Sequence, residues 1–208
     1  MIAGIVLAAG MATRMGMCKQ LLPLDGKMVI QRVVEQVVGQ VDKVLIVIGH
    51  RGEEVAAALS GYPVTCVANK NYHSGMLSSV PCGIRSAGRA QGFLICLGDQ
   101  PGIGLGVVRA VLAEAAGGDT GLVIPTNQGK RGHPIWIHRR YREEILQLAG
   151  DRGLNAVTRG HRDDTLEISV DDQQILVDLD TPADYQREKE RFRVENKIPP
   201  TTRKRSDS

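Results

Sequence analysis

Two cationic side chains follow the first apolar segment of the chain. Arg14 and Lys19 lie in a glycine-containing stretch directly after the apolar run 2–8. An arginine presents a planar fork of donors that matches phosphate oxygens, and a lysine adds a mobile point charge. Gly10 and Gly16 permit backbone conformations in which successive N–H groups face an anion. These residues predict a binding site for a polyphosphate, such as that of a nucleoside triphosphate.

The spacing of these residues differs from the two common nucleotide-binding fingerprints. No Ser or Thr follows Lys19 to hold magnesium, as in a Walker P-loop, and no G-x-G-x-x-G sequence follows the apolar run. A glycine-rich connection that carries two solvated charges is therefore the alternative interpretation of this stretch.

Carboxylates follow two further apolar runs. Asp99 comes directly after the run 93–97 and is the best candidate for a magnesium ligand, because magnesium takes carboxylate oxygens together with substrate phosphates. The alternative is an Asp that begins a turn before Pro101. Asp180 follows the run 175–177, for which the sequence predicts a strand, and Asp178 would then share its face and support it.

Apolar runs alternate with segments of helical periodicity along the body of the chain. Strands are predicted at 2–8, 44–48, 64–67 and 93–97, and helices at 29–38, 53–59, 76–87 and 107–116. This alternation predicts an α/β fold with a doubly wound, mostly parallel sheet. Ligands of such sheets bind beyond the carboxyl ends of the strands, so the candidate residues should meet at one edge.

The segment 7–24 closely resembles the L-A-A-G-x-S-x-R-M-G-x-x-K-x-L-L-P-L signature of MobA-like nucleotidyltransferases, and in particular the branch of molybdenum cofactor cytidylyltransferases. The resemblance implies a Rossmann-like nucleotidyltransferase fold, similar to that of the A-type glycosyltransferases. Ala12 departs from the signature, which usually has Ser there. Ala9 stands where guanylyltransferase relatives usually carry a second glycine, which favours CTP over GTP.

The resemblance continues in the segments 69–79, 97–101 and 129–134, which are similar to the family's N-x-x-x-x-x-G-M-x-x-S, L-G-D-Q-P and G-x-x-G-H-P stretches, and in the G-D-x-G sequence at 150–153. It implies Arg14, Lys19 and Asp99 as catalytic residues, and Asp99 and Asp180 as ligands of Mg²⁺ or Mn²⁺. It further implies that Arg131 and His133 bind the acceptor. The nucleotide-binding residues that it implies are Leu7, Ala8, Ala9, Gly10, Arg14, Lys19, Gly75, Ser78, Ser79 and Asp99.

Several of these residues have a purely structural alternative. Ser78 and Ser79 could cap a helix, Asp151 could cap the next one, and the stretch around Gly132 could be an ordinary loop that enters a strand. Asp184 is interpreted as a favourable charge in the first turn of a helix that Thr181 caps.

The resemblance implies a reaction in which CMP is transferred from CTP to the terminal phosphate of molybdopterin, with release of pyrophosphate. The expected partners are CTP, a molybdopterin-type acceptor and a molybdenum hydroxylase that receives the product. Two alternatives stay open. The acceptor could be a sugar or alditol phosphate, or the chain could be a non-catalytic carrier of the molybdenum cofactor.

Composition predicts one well-buried domain at 1–196, since 42% of the 208 residues are hydrophobic. The segment 197–208 is basic and lacks apolar periodicity, so it is expected to be a disordered, solvated tail rather than a nucleic-acid-binding arm. No apolar stretch reaches membrane-spanning length, and no signal peptide is recognisable. Together with four dispersed cysteines, these features favour a cytoplasmic location without a membrane partner.

Overall fold

In the computed structural model, residues 1–10, 16–148 and 153–197 are described. Strands and helices alternate along these residues, as the sequence predicts. The strands are β1 (Ile2–Ala8), β2 (Pro23–Leu24), β3 (Lys27–Met28), β4 (Lys43–Ile48), β5 (Thr65–Ala68), β6 (Gly92–Leu97), β7 (Leu122–Asn127), β8 (Lys130–Arg131), β9 (Ile135–His138) and β10 (Thr165–Ser169). The helices are α1 (Val29–Val37), α2 (Gly52–Ala58), α3 (Met76–Ser86), α4 (Leu105–Gly117), α5 (Arg142–Leu146), α6 (Leu154–Gly160) and α7 (Pro182–Lys197).

The main sheet has β1 near its centre, in the order β10, β7, β9, β6, β1, β4, β5, and β8 pairs with the end of β7. The pairs β6–β1, β1–β4, β4–β5 and β7–β10 are parallel, whereas β9 runs antiparallel to both of its neighbours. Strands β2 and β3 form a small separate hairpin. The prediction of a mostly parallel sheet is therefore confirmed.

Helices cover both faces of this sheet, which explains the continuous apolar runs of its central strands. On one face, Ile5 and Phe93 pack against α3, while on the other face Val6 and Leu94 pack against α1 and α4. Gly83 lets α3 approach the sheet closely, because a Cβ at this position would lie 2.4 Å from Cγ2 of Ile5. The structure is thus doubly wound.

The strand predicted at 175–177 is wrong. Gln173–Leu176 forms a short 3₁₀ helix instead, and the side chain of Asp172 accepts a hydrogen bond from the Gln174 amide at its start. The buried Ile175 packs against Gly132, where a Cβ would lie 2.4 Å from the Ile175 carbonyl oxygen. A short apolar run fits a strand and a buried turn of helix equally well, and here the packing of one isoleucine decides.

Three groups of predictions lie wholly or partly outside the described residues. They concern Arg14 and the rest of 11–15, the G-D-x-G residues 150–152, and the basic tail from 198 onward. Within the described ranges, no helix is both long and apolar enough to cross a membrane. All four cysteines are free.

Candidate functional site

Lys19 lies between two carboxylates that are distant from it in sequence. Its Nζ donates hydrogen bonds to Oδ2 of Asp99 at 3.1 Å and to Oδ1 of Asp180 at 2.5 Å. The Lys19 side chain is only 12% exposed, so solvent screens these contacts weakly. Burial of the ammonium opposes its charge, but Asp180 and Asp99 outweigh burial and raise the pKa of Lys19. We call these three residues the charged cluster.

Each member of the charged cluster is placed by the end or the start of an element. Lys19 begins a short 3₁₀ helix, Lys19–Leu21, beyond β1. Asp99 follows β6, and its carbonyl oxygen accepts a hydrogen bond from the Leu179 amide at 3.1 Å, which joins the two acidic segments. Asp180 precedes α7. Because β1 and β6 are adjacent and parallel, their carboxyl ends deliver Lys19 and Asp99 to one edge of the sheet.

The start of α7 gives Asp184 a structural role. The Asp184 amide donates to Oγ1 of Thr181 at 3.2 Å, and Oδ2 of Asp184 accepts from the Thr181 amide at 2.7 Å. This reciprocal arrangement is a capping box, and it lowers the pKa of Asp184 through its hydrogen bonds with Thr181. The interpretation of Thr181 as the cap agrees with the structure.

The charged cluster suits a divalent cation. Oxygens of Asp99 and Asp180 converge on one cationic atom, the Lys19 Nζ, which marks a position where positive charge is stabilised. Within the described ranges, no group of three or more His, Cys, Asp or Glu side chains is arranged to hold a metal. A magnesium ion held by one or two carboxylates and completed by substrate phosphates needs no such cage.

Gln100, which is buried, and Asp178 form a polar pair beside the charged cluster. Nε2 of Gln100 donates to Oδ1 of Asp178 at 2.7 Å, and this bond, rather than the alternation of a strand, sets the direction of the Asp178 side chain. Burial and the neighbouring charge of Asp99 raise the pKa of Asp178. Gln100 stands inside the 97–101 motif, but its sequence position alone indicated no role for it.

The end of β1 and the loop beyond it form the predicted nucleotide side of the site. Leu7, Ala8 and Ala9 are buried, whereas Gly10 is exposed. Gly16 has φ +67°, a left-handed conformation that favours glycine. Gly10 comes two residues after the end of β1, so it lies at the carboxyl edge of the sheet, where β6 also delivers Asp99.

Ser78 and Ser79 neither cap α3 nor present free hydroxyls. Nδ2 of Asn69 donates to Ser78 Oγ at 2.8 Å and to Ser79 Oγ at 3.1 Å, and Ser79 is 3% exposed. Gly75, at φ +70°, provides the turn that leads into α3. The two serines thus hold Asn69, a residue to which the sequence analysis gave no role, and join the end of β5 to the start of α3.

A pocket of about 720 Å³ opens beside the charged cluster, on the face of the sheet that α3 covers. Its walls are mostly aliphatic, and the polar side chains that line it are Gln100, Arg131, His133, Asn155, Arg159 and Asp178. We call it the apolar pocket. Arg131 and His133, the predicted acceptor-binding residues, therefore line one cavity together with Asp178. Asp178 is two residues before Asp180 of the charged cluster.

The two predicted acceptor-binding residues differ in their surroundings. Nε of Arg131 donates to Oε1 of Glu167 on β10 at 2.8 Å, so the charge of Arg131 is already neutralised. His133 has no ion pair among the described residues, and burial lowers its pKa to about 4. His133 is therefore neutral at physiological pH and offers one donor and one acceptor nitrogen.

Residues 4–166 match the model of the MobA-like NTP transferase domain. This match runs from β1 to the start of β10 and includes Lys19, Asp99 and most of the residues that line the apolar pocket. The chain belongs to this family. Both the fold and the resemblance found in the sequence are thereby confirmed.

Relatives in this family carry different names. The chain is 25% identical to a molybdenum cofactor cytidylyltransferase of Escherichia coli, over 90% of this chain and 95% of the relative. It is 30% identical to a nicotine blue oxidoreductase of Paenarthrobacter nicotinovorans, over 76% and 81%. It is 29% identical to a probable molybdenum cofactor guanylyltransferase of Mycobacterium marinum, over 88% and 90%.

Solved structures agree with this assignment. A nucleotidyl transferase from Methanothermobacter thermautotrophicus superimposes with a TM-score of 0.82 at 29% identity, over 94% of this chain and 99% of that one. The Rv0371c protein of Mycobacterium tuberculosis, solved in complex with manganese, superimposes with a TM-score of 0.77 at 28% identity, over 91% and 98%.

Proposed function

We propose that this chain is a metal-dependent nucleotidyltransferase that transfers CMP from CTP to the terminal phosphate of a molybdopterin-type acceptor. The observation that carries the proposal is the charged cluster beside the apolar pocket. One lysine lies between two carboxylates, and these carboxylates are close in sequence to Gln100 and Asp178, which line a cavity large enough for a heterocyclic acceptor. The similarity to the cytidylyltransferase of Escherichia coli over nearly the whole chain supports the same activity.

The reaction needs little covalent chemistry from the protein. An oxygen of the acceptor phosphate attacks the α-phosphorus of CTP, and the bond from that phosphorus to the bridging oxygen of the β-phosphate breaks. Pyrophosphate leaves with the electron pair, and CMP becomes joined to the acceptor phosphate. Such transfers are accelerated mainly by positioning and by stabilisation of charge.

The residues of the charged cluster divide these tasks. Lys19 neutralises charge that builds up on the departing pyrophosphate, and Arg14 is proposed to do the same from the loop before it. Asp99 and Asp180 are the residues that would hold Mg²⁺ or Mn²⁺. When bound, the ion supplies Lewis-acid stabilisation of the phosphate oxygens. The manganese complex of the Mycobacterium tuberculosis protein supports a divalent cation in this family.

The nucleotide side is assigned to the end of β1 and the start of α3. We propose that Leu7, Ala8, Ala9 and Gly10 contact the nucleotide, with Gly75, Ser78 and Ser79 on the opposite side. The preference for CTP rests on Ala9. Relatives named as cytidylyl- and guanylyltransferases both match the chain, so a comparison of CTP with GTP as substrates tests this preference directly.

Arg131 and His133 are proposed to hold the acceptor in the apolar pocket. His133 donates or accepts one hydrogen bond as a neutral imidazole, and Arg131 adds a fork of donors that Glu167 holds in place. We propose that the product then passes to a molybdenum hydroxylase.

A pyrophosphate-release assay tests the proposal. The purified chain is given CTP or GTP with magnesium, with and without molybdopterin, and in parallel with a sugar phosphate. Release that requires both CTP and molybdopterin is expected. Pyrophosphate release with the sugar phosphate but not with molybdopterin would mean that the acceptor is a sugar phosphate. Release only with GTP would mean that the nucleotide substrate is GTP. Binding of molybdopterin without any release would favour a carrier.

A further inference from the structure

The walls of the apolar pocket include α6, a helix in which the sequence indicates no functional residue. Asn155 and Arg159 are four residues apart on α6, and both line the pocket together with Ala156. Residues at this spacing share one face of a helix. The helix thus presents an amide and a guanidinium side by side to the cavity.

These two side chains are unengaged in the part of the chain that the structure describes. No ion pair or side-chain hydrogen bond of Asn155 or Arg159 is present there, although Arg131, the other arginine of the pocket, is bound to Glu167. The positive charge of Arg159 is therefore available to a ligand, while that of Arg131 is already neutralised. Unpaired polar groups that line an otherwise apolar cavity provide the orientation and specificity of ligand sites.

The course of α6 separates these residues from the charged cluster. At its start, Gly153 approaches the beginning of α3, since a Cβ there would lie 3.1 Å from Cδ2 of Leu77. Just after its end, the ring of His161 contacts the ring of Tyr141 at 4.5 Å. Tyr141 in turn lies at Gly121, before the first residue of β7. The helix therefore runs from the edge of the charged cluster toward the opposite edge of the sheet.

We propose that Asn155 and Arg159 bind the pyrimidinone edge of a pterin acceptor whose phosphate lies at the charged cluster, an inference that rests on the proposed function. This edge presents a 4-oxo acceptor beside an N3–H and a 2-amino donor. The guanidinium of Arg159 donates to the 4-oxo oxygen, as arginine does to the corresponding oxygen of guanine. The amide oxygen of Asn155 accepts from the 2-amino group.

A binding experiment with free pterin tests this assignment without requiring turnover. Fluorescence titration of the full chain with pterin, and with lumazine, which has an oxo group in place of the 2-amino group, gives two dissociation constants. We expect Arg159→Gln to weaken binding of both ligands about tenfold, because the 4-oxo group is common to them. Asn155→Ala should weaken pterin about tenfold and leave lumazine nearly unchanged.

Arg162→Gln is the matched control, because Arg162 is an exposed arginine just beyond α6 that does not line the pocket. It should bind both ligands like the unchanged chain, and Arg159→Lys should restore part of the affinity. Equal affinities of the unchanged chain for pterin and lumazine, no pterin binding at all, or unaltered binding by Asn155→Ala and Arg159→Gln would each overturn the inference.

The same variants separate this inference from the proposed function. Pterin binding that depends on Asn155 and Arg159, in a chain that releases no pyrophosphate, contradicts the proposed function alone. Normal release with molybdopterin, in variants that bind pterin like the unchanged chain, contradicts the inference alone.

Discussion

The charged cluster and the apolar pocket lie side by side but differ in the polarity of their side chains. The cluster brings three ionised side chains together from positions 80 and 161 residues apart in the chain. The pocket is walled mainly by aliphatic side chains from both neighbouring strands and helices, with a few polar groups among them. Under the proposed function, this difference corresponds to two roles, in which the cluster binds phosphate charge and the pocket selects the acceptor.

Removing a charge from the charged cluster should have the largest effect on catalysis. Asp99→Asn should lower kcat at least about a hundredfold, because an interaction that strengthens in the transition state is worth roughly 3 kcal/mol. The KM of the acceptor should change little. Steady-state kinetics of pyrophosphate release provides the measurement.

Asp171→Asn is the control for this prediction, since Asp171 is exposed and does not line the apolar pocket. It should leave kcat unchanged. A purified, folded Asp99→Asn variant with near-normal turnover would remove the cluster from the catalytic site.

A larger side chain in the wall of the pocket should raise the acceptor KM, whereas the change in the charged cluster lowers kcat. In Gly132→Ala the new Cβ would lie 2.4 Å from the Ile175 carbonyl oxygen, so the segments around 132 and 175 must move apart. We expect a loss of about 1–3 kcal/mol in the free energy of unfolding and a rise of about tenfold in the acceptor KM. The KM of the nucleotide should stay the same.

Gly106→Ala is the matched change, because a Cβ at Gly106 on α4 meets no atom within 4 Å. It should raise stability by about 0.5–1 kcal/mol and leave both KM values unaltered. Equal kinetic effects of the two alanines would mean that the 132–175 contact does not shape the acceptor site.

Part of the charged cluster could be predicted from the sequence. Asp99 and Lys19 follow apolar runs and stand in short motifs, so their residue types and their place at the strand ends predicted the charged cluster. Asp180 was expected from the resemblance and from a strand before it, and the strand is wrong because that run forms a 3₁₀ helix. The 3₁₀ helix depends on how Ile175 packs on Gly132. These two residues are 43 positions apart, so local periodicity in the sequence cannot reveal their contact.

Most of the residues that line the apolar pocket could not be predicted from the sequence, for the same reason. Asn155 and Arg159 resemble any polar pair on a surface helix, and only the packing of α6 beside α3 turns them toward a cavity. The serines at 78 and 79 were predicted as ligands or caps. Their hydrogen bonds with Asn69 could not be predicted, because they form only where the ends of β5 and α3 meet.

The pH dependence of stability sharpens the description of the pocket. Burial lowers the pKa of His133 from 6.5 to about 4, so the unfolded chain binds more protons than the folded chain between these values. Stability should therefore fall as the pH is lowered from 6.5 toward 4. At pH 5 the loss from this residue is about 1–2 kcal/mol.

Denaturant unfolding of the unchanged chain and of His133→Gln, at pH 7 and pH 5, measures this contribution. The variant should lose less stability than the unchanged chain over this interval. An identical loss in both proteins would show that His133 is as accessible to protons in the folded chain as in the unfolded one.

The smallest effect is expected at the edge of the sheet opposite the site. There the Tyr141 hydroxyl donates to Oδ2 of Asp164, whose Oδ1 accepts from the Gly121 amide at 2.9 Å. Tyr141→Phe should cost about 1 kcal/mol of unfolding free energy and leave kcat and both KM values unchanged. Thermal unfolding and the pyrophosphate assay together check this. A kinetic effect of this change would show that the two edges are coupled.

The direction of β9 has an evolutionary consequence. Because β9 runs antiparallel to β6 and β7, β7 ends and β9 begins at the carboxyl edge of the sheet, and the segment 128–134 is the hairpin connection between them at that edge. Its sequence can diverge without altering the parallel pairing of β1 with β6 that positions Lys19 and Asp99. Under the proposed function, sequence changes in this hairpin and in α6 would therefore alter the acceptor while the phosphate chemistry of the charged cluster stayed the same.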